Sequence, residues 1–106
     1  MIVPQTIAEY FLAANTNDAD RVAACFAENA VVRDEGGEIR GKSAVRGWAE
    51  ETRRKYRYHA EVVKADQEAD RTIVTAHLTG DFPGSPIDLR YRFKLAGSTI
   101  IALAIG

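Results

Sequence analysis

Apolar residues recur at helical spacing in the first half of the chain and alternate with polar residues in the second half. The first helical pattern ends near residue 14, and Pro4 suits the first turn of the helix that it predicts. The apolar residues of this helix take the i, i+3, i+4 and i+7 positions of one face: Ile7, Tyr10, Phe11 and Ala14.

A second, shorter helix is predicted after the polar interruption at residues 15–18. Asp18 is a favourable N-cap for it, because a carboxylate can accept hydrogen bonds from the free amides of the first helical turn. Val22, Cys25 and Phe26 would form its buried stripe. Since the only cysteine lies in this stripe, it is interpreted as a buried, inert thiol.

A short hairpin and a third helix follow. Residues 30–34 are predicted to form one strand and residues 38–40 a brief return strand, with two glycines making the tight reversal between them. Ser43 is the predicted N-cap of the third helix. The inner face of that helix combines four residues at helical spacing: Val45, Trp48, Ala49 and Thr52.

Four strands are predicted in the second half of the chain, at residues 58–65, 72–81, 87–95 and 100–105. A polar turn at 66–70 would separate the first two. The third strand alternates most clearly, which is typical of a half-buried antiparallel strand. Its apolar side consists of Ile87, Leu89, Tyr91, Phe93 and Leu95. Segregated helices and strands predict an α+β fold, in which three N-terminal helices cover a curved antiparallel sheet and leave a cone-shaped hollow.

Composition excludes several classes of function. The 106 residues suit a single domain, and a hydrophobic fraction of 46% supplies enough apolar material for a core. The net charge of −1 argues against nucleic-acid and membrane partners. The N-terminus lacks the pattern of a secretory signal, and no apolar run approaches the roughly 20 residues of a membrane helix, so a cytoplasmic location is expected. No metal-ligand spacing, phosphate-binding loop or dinucleotide motif is present, so no cofactor is expected.

The stretch Arg33-Asp34-Glu35, before two glycines, raises the first candidate for chemistry. On a strand, Asp34 shares a face with Val32, so it would point into the hollow if Val32 does. A poorly solvated carboxylate there would have a raised pKa and could act as a base. The alternative interpretation is a solvated turn residue, a common position for Asp before glycine.

Several other side chains have both a structural and a functional interpretation. Tyr10 is either a core tyrosine or a donor to a ligand oxygen. His77 lies on a half-polar strand face that would meet solvent, a partner subunit or the cavity. The remaining aromatic candidates are either core residues or the walls of a site for a flat apolar ligand: Trp48, Tyr58, Tyr91 and Phe93.

The chain resembles the nuclear transport factor 2-like superfamily, in its SnoaL-like and ketosteroid isomerase-like branch. The likeness covers essentially the whole chain. It is carried by the stretches "IAEYFLAANTNDADRVAACFAENAVV", "RDEGG", "IRGKSAVRGWAEE" and "LRYRF". This fold hosts enzymes and non-catalytic domains alike, so the resemblance is moderately specific for the family and weakly specific for a reaction.

The resemblance also implies roles for individual residues. Tyr10 takes the place of the tyrosine that hydrogen-bonds the substrate oxyanion in ketosteroid isomerases, and Asp34 that of the aspartate that moves the proton. Trp48 replaces an aromatic residue of the same cavity. If "YRF" is matched to the aromatic-Arg-Phe of those isomerases, Leu89 stands where they carry a second acid, and Asp88 belongs to the opposite face of the strand. Either the alignment slips locally or the second donor is missing. A homodimer that covers the outer face of the sheet is implied as well.

Three hypotheses about function remain open at this stage. The first is a cofactor-independent isomerase, cyclase, dehydratase or hydrolase that acts on a small apolar carbonyl-type substrate, with Asp34 as the general base. The second is a ligand-binding module without turnover. The third is a dimerisation module whose hollow is filled by its own side chains. A pocket that contains both Asp34 and Tyr10 would favour the first hypothesis.

Overall fold

A computed structural model describes residues 2–106. Three helices and six strands follow one another in the order that the sequence predicts. The helices are α1 (Gln5–Asn15), α2 (Ala19–Ala24) and α3 (Lys42–Tyr56). The strands are β1 (Phe26–Asp34), β2 (Gly37–Arg40), β3 (His59–Glu68), β4 (Arg71–Thr79), β5 (Ile87–Ala96) and β6 (Thr99–Ile105).

The six strands form one curved sheet in the order β2-β1-β6-β5-β4-β3. Strands β3 to β6 make an antiparallel meander, and β1 pairs with β2 through a tight hairpin. β1 and β6 run parallel, which joins the N-terminal hairpin to the meander. The α+β class and the helix-covered sheet are therefore confirmed, with one parallel pair in an otherwise antiparallel sheet.

The helices lie on the inner face of the sheet and bury its apolar side. The largest fully buried side chains come from α1, α3 and four strands: Ile7, Tyr10, Phe26, Val32, Val45, Val74, Phe93, Ile100 and Leu103. Asp18 caps α2 as predicted, since its carboxylate accepts a hydrogen bond from the backbone amide of Arg21 at 3.1 Å. None of the helices within residues 2–106 has the length and apolar character needed to cross a membrane.

Three local predictions were wrong. The N-cap of α3 is Gly41 rather than Ser43, because Gly41 adopts φ of 91°, a conformation that glycine reaches without strain. Phe26 opens β1 instead of ending α2, which stops at Ala24. The predicted turn at 66–70 is mostly strand, because pairing with β4 extends β3 to Glu68.

Candidate active site

A cavity of about 470 Å³ opens between the inner face of the sheet and the helices, and it lies within the size range of small-molecule sites. Apolar and aromatic side chains make most of its wall, and two carboxylates lie on one side. Fifteen residues line it: Tyr10, Asp34, Glu35, Trp48, Thr52, Tyr56, Tyr58, Leu78, Phe82, Pro83, Ile87, Leu89, Tyr91, Ile105 and Gly106.

Asp34 is the last residue of β1 and points into this cavity. It shares the inner face with Val32, which is fully buried, as the strand periodicity predicts. The following residues, Glu35 and Gly36, have φ values of 53° and 76°, so the chain reverses in a two-residue turn of the type that matches strand twist. The turn thus fixes the end of β1 against β2 and holds Asp34 at the cavity wall.

The carboxyl of Asp34 is half-buried and hydrogen-bonded. The indole Nε1 of Trp48 donates to its Oδ2 at 3.0 Å. Burial raises the pKa of Asp34 and outweighs the hydrogen bond from Trp48, which acts in the opposite direction. The neighbouring charge of Glu35 raises the pKa further. Asp34 therefore holds a proton more tightly than an exposed aspartate does.

Helix α3 brings Trp48 to this position. Trp48, Thr52 and Tyr56 lie at i, i+4 and i+8, so all three face the cavity from one side of the helix. The hydroxyl of Thr52 donates to the backbone carbonyl of Trp48 at 3.0 Å, so it does not compete for Asp34. The helix therefore presents the indole N–H as its polar group nearest to the carboxyl.

Three tyrosines approach the cavity from different parts of the chain: Tyr10 from α1, Tyr58 from the link just before β3 and Tyr91 from β5. None of their hydroxyls forms a hydrogen bond with another of residues 2–106. Every side-chain polar atom of that range that is fully shielded from solvent has a hydrogen-bond partner, so these three hydroxyls are not fully shielded. Each of the three oxygens is therefore open to free space, which is this cavity for Tyr91 and either this cavity or a small neighbouring pocket of about 10 Å³ for Tyr10 and Tyr58. Burial is the main cause that raises the pKa of each phenol, and the charge of Asp34 adds to it. All three stay protonated and can donate.

The rings of Tyr10 and Tyr91 belong to an aromatic cluster at the inner end of the cavity. Phe11 packs edge-on against both rings, with centroid distances of 5.0 Å in each case. Phe93 packs edge-on against Tyr10 at 5.5 Å and is fully buried. Phe93 does not line the cavity, because α1 covers β5 at this point. The structure therefore places it in the core rather than with the other predicted ligand contacts.

His77 is the other predicted site residue that lies away from the cavity. Its ring Nδ1 is 2.7 Å from Oδ1 of Asp88, and its side chain is 41% exposed on the outer face of the sheet. Leu78, the next residue of β4, faces the cavity instead. Of the eight predicted residues, the structure brings six together: Tyr10, Asp34, Trp48, Tyr58, Leu89 and Tyr91.

The mouth of the cavity contains residues that the sequence analysis missed. The hydroxyl of Tyr56 donates a hydrogen bond to Glu35, and the ring of Tyr56 meets Phe82 edge-on at 5.8 Å. The helical spacing from Trp48 could have indicated Tyr56. Phe82 and Pro83 come from an irregular loop, whose position no periodicity indicates. Within residues 2–106, no group of three or more His, Cys, Asp or Glu side chains is arranged to hold a metal ion.

Comparison with known proteins agrees with this architecture. The family model of the SnoaL-like domain matches residues 7–96. The chain belongs to the SnoaL-like family. Among solved structures, a candidate polyketide cyclase from Sinorhizobium meliloti is 35% identical to this SnoaL-like chain, with a TM-score of 0.94 over 98% of this chain and 95% of that one.

More distant structures share the fold alone. A protein with a ketosteroid isomerase-like fold from Catenulispora acidiphila, in complex with trimethylamine, has a TM-score of 0.87 at 18% identity and covers 99% of this chain and 86% of its own. A cystatin-fold protein from Novosphingobium aromaticivorans has a TM-score of 0.80 at 20% identity, over 100% and 98% of the two chains. Among curated proteins, the comparison finds no significant match. The family model confirms the predicted SnoaL-like branch, and these structures share the predicted fold.

Proposed function

We propose that this SnoaL-like protein is a cofactor-independent acid–base enzyme that acts on a small, mainly apolar carbonyl compound. Asp34 would take a proton from the carbon next to the carbonyl and return it elsewhere. Tyr10 would donate a hydrogen bond to the carbonyl oxygen as negative charge develops there. The observation that supports this proposal is the single cavity shared by a half-buried carboxyl of raised pKa and the free hydroxyl of Tyr10.

The electrostatics of the site suit this division of roles. A base is most effective when its pKa approaches the working pH, and burial moves Asp34 in that direction. Burial also raises the pKa of Tyr10, which keeps the phenol protonated and able to donate a hydrogen bond. The pKa values of the two groups thus favour a carboxylate base beside a neutral donor.

The walls of the cavity favour a flat apolar substrate. Trp48 and Tyr58 supply aromatic contacts, and Leu78, Leu89 and Ile105 supply aliphatic ones. Proton transfer next to a carbonyl is a step shared by isomerisation, aldol-type cyclisation and dehydration, and the same carboxylate could activate water for hydrolysis. The likeness to a candidate polyketide cyclase at 35% identity favours cyclisation within this group.

A simple ketone can test the acid–base proposal without knowledge of the natural substrate. 2-Tetralone is a flat bicyclic ketone with acidic hydrogens beside its carbonyl, and exchange of these hydrogens for deuterium can be followed by NMR. The wild-type protein should accelerate the exchange, and Asp34→Asn should reduce the acceleration at least about 100-fold, within the contribution expected of a general base. Asp88→Asn provides the matched control, because Asp88 lies on the outer face of the sheet and should leave the rate unchanged.

Equal exchange rates for the wild-type protein and Asp34→Asn would refute the role of Asp34. Binding of 2-tetralone without accelerated exchange would instead support the alternative, a ligand-binding module of the same fold. The apolar Leu89 favours that alternative, because the second acid of ketosteroid isomerase-like sites is missing at this place in the cavity wall.

We also propose a homodimer formed through the outer face of the sheet. The middle of that face carries small or apolar residues, among them Val31 of β1 and Ala102 of β6, which pair with each other in register. A stable contact should bury about 1,200–2,000 Å² in total. Ala102→Glu should therefore shift the protein from dimer to monomer in analytical ultracentrifugation. A wild-type protein that sediments as a monomer at micromolar concentration would contradict the proposal.

A further inference from the structure

The hydroxyl of Tyr91 is a buried donor without a partner. The whole residue is only 3% exposed, and its hydroxyl forms no hydrogen bond with another of residues 2–106. Every side-chain polar atom in that range that is fully shielded from solvent has a hydrogen-bond partner. The Tyr91 oxygen has none, so it is not fully shielded. It therefore faces the cavity, where a bound molecule can meet it.

Packing alone does not require this hydroxyl. Phe93, two residues further along the same face of β5, belongs to the same aromatic cluster and stacks against Tyr91 with a centroid distance of 6.1 Å. A phenylalanine at position 91 would preserve the ring contacts with Phe11 and Phe93. The phenol oxygen is open to the cavity, so a ligand oxygen that enters there can accept its hydrogen bond in place of water.

The position of Tyr91 relative to Leu89 and Tyr10 gives the hydroxyl a specific use. Leu89 is apolar, so the inner face of β5 offers no carboxyl to a ligand at that point. Tyr91 is the next inward residue of the strand and the first there with an O–H group. Its ring lies 6.3 Å from the ring of Tyr10, centroid to centroid, so both phenols border the same region of the cavity.

We infer that Tyr91 is a ligand-binding residue that donates a hydrogen bond to an oxygen of the bound compound, in addition to the hydrogen bond from Tyr10. The inference rests on the proposed function, because it assigns an oxygen-bearing ligand to the same cavity. It deepens that proposal by giving β5 the polar contact that Leu89 does not supply. Specificity for a carbonyl compound over a hydrocarbon of the same shape then depends on Tyr91 as well as on Tyr10.

Two ligands with the same carbon skeleton can distinguish the contribution of the Tyr91 hydroxyl to binding from that of its ring. 2-Tetralone carries a carbonyl oxygen, while tetralin has the same bicyclic frame without it. Binding of both to the wild-type protein and to Tyr91→Phe should be measured by calorimetry or NMR titration. Tyr91→Phe should lower the affinity for 2-tetralone about 3- to 10-fold, the range expected for one neutral hydrogen bond, and leave the affinity for tetralin unchanged. The ligand-free melting temperature should not fall, because the deleted hydroxyl has no partner in the protein.

The infrared carbonyl band of bound 2-tetralone provides a second measurement. Donors lower its frequency, so the band should shift back toward higher frequency in Tyr91→Phe. Equal affinity for 2-tetralone in both proteins would overturn the inference, since the hydroxyl would then contribute nothing to binding. An equal loss of affinity for both ligands would also overturn it, since the effect of the hydroxyl would then be structural. If neither ligand binds the wild-type protein, the inference fails together with the proposed carbonyl substrate. If 2-tetralone binds through Tyr91 but does not exchange hydrogen, only the catalytic proposal fails.

Discussion

The indole Nε1 of Trp48 donates a 3.0 Å hydrogen bond to Oδ2 of Asp34, which ties helix α3 to the end of strand β1. This contact fixes the direction of the carboxyl in the cavity. It also stabilises the charged form of Asp34 against the effect of burial, which favours the protonated form. The proton affinity of the candidate base is thus set by two opposing effects, and one of them depends on a single side chain.

Replacing Trp48 with Phe should raise the pKa of Asp34 further. The substitution removes the hydrogen bond that lowers the pKa and retains an aromatic ring against the cavity. A pH titration of the carboxyl carbon of Asp34 by NMR measures the change directly. If Asp34 is the base in hydrogen exchange of 2-tetralone, the rising limb of the pH–rate profile should move to higher pH by the same amount. An unchanged pKa would show that the indole does not control the carboxyl.

Asp34→Asn should stabilise the ligand-free protein at pH 7. A carboxyl whose pKa is raised by folding binds its proton more tightly in the native state, so its contribution to stability is complete below the unfolded pKa of about 3.9 and declines as pH rises through the native pKa. Asparagine carries no charge to bury and keeps an oxygen that can accept from Trp48. Thermal melts should show a higher melting temperature for the variant at pH 7 and a shrinking difference toward pH 3.

Gly80 should not tolerate alanine. An added Cβ would stand 2.7 Å from the backbone oxygen of Tyr56 and 2.9 Å from the Cα of Tyr58, where backbone has to move to make room. Gly80→Ala should therefore lower the free energy of unfolding by about 1–3 kcal/mol. Denaturant unfolding can compare it with Gly47→Ala in α3, where a Cβ meets nothing within 4 Å. That control should gain about 0.5–1 kcal/mol from the better helix propensity of alanine.

Asn15 should contribute to stability through its side-chain amide. At the end of α1, its Nδ2 donates to the backbone oxygen of Ala60 at 2.8 Å, and its Oδ1 accepts from the amide of Ala60, also at 2.8 Å. Asn15→Ala should cost about 1–3 kcal/mol of unfolding free energy, because it leaves these groups of β3 without their partner. Asn29→Ala is the matched control: Asn29 is exposed on β1, and its loss should change stability by less than about 0.5 kcal/mol. Similar effects of both substitutions would contradict this role for Asn15.

The sequence predicted those features of the candidate site that depend only on which face of a strand a residue occupies. Strand alternation placed Asp34 with Val32, and Leu89 with Tyr91, on the inner face of the sheet. Alternation does not indicate depth along a strand. Phe93 shares the face of Tyr91, yet α1 packs over it and removes it from the cavity. His77 lies on a half-polar face of its strand, so the sequence did not decide between the cavity and the outer face of the sheet. The structure places it on the outer face.

The sequence by itself determined the order of the helices and strands, because periodicity and capping act over a few neighbouring residues. Only the tertiary structure decided the parallel pairing of β1 with β6, the approach of Trp48 to Asp34, and the position of Phe82 beside Tyr56 at the mouth. These relationships depend on register and packing between segments distant in the chain. The chemistry of the cavity arises at those long-range contacts, where a half-buried carboxyl meets an indole donor and shares the cavity with phenols from α1, β5 and the link before β3.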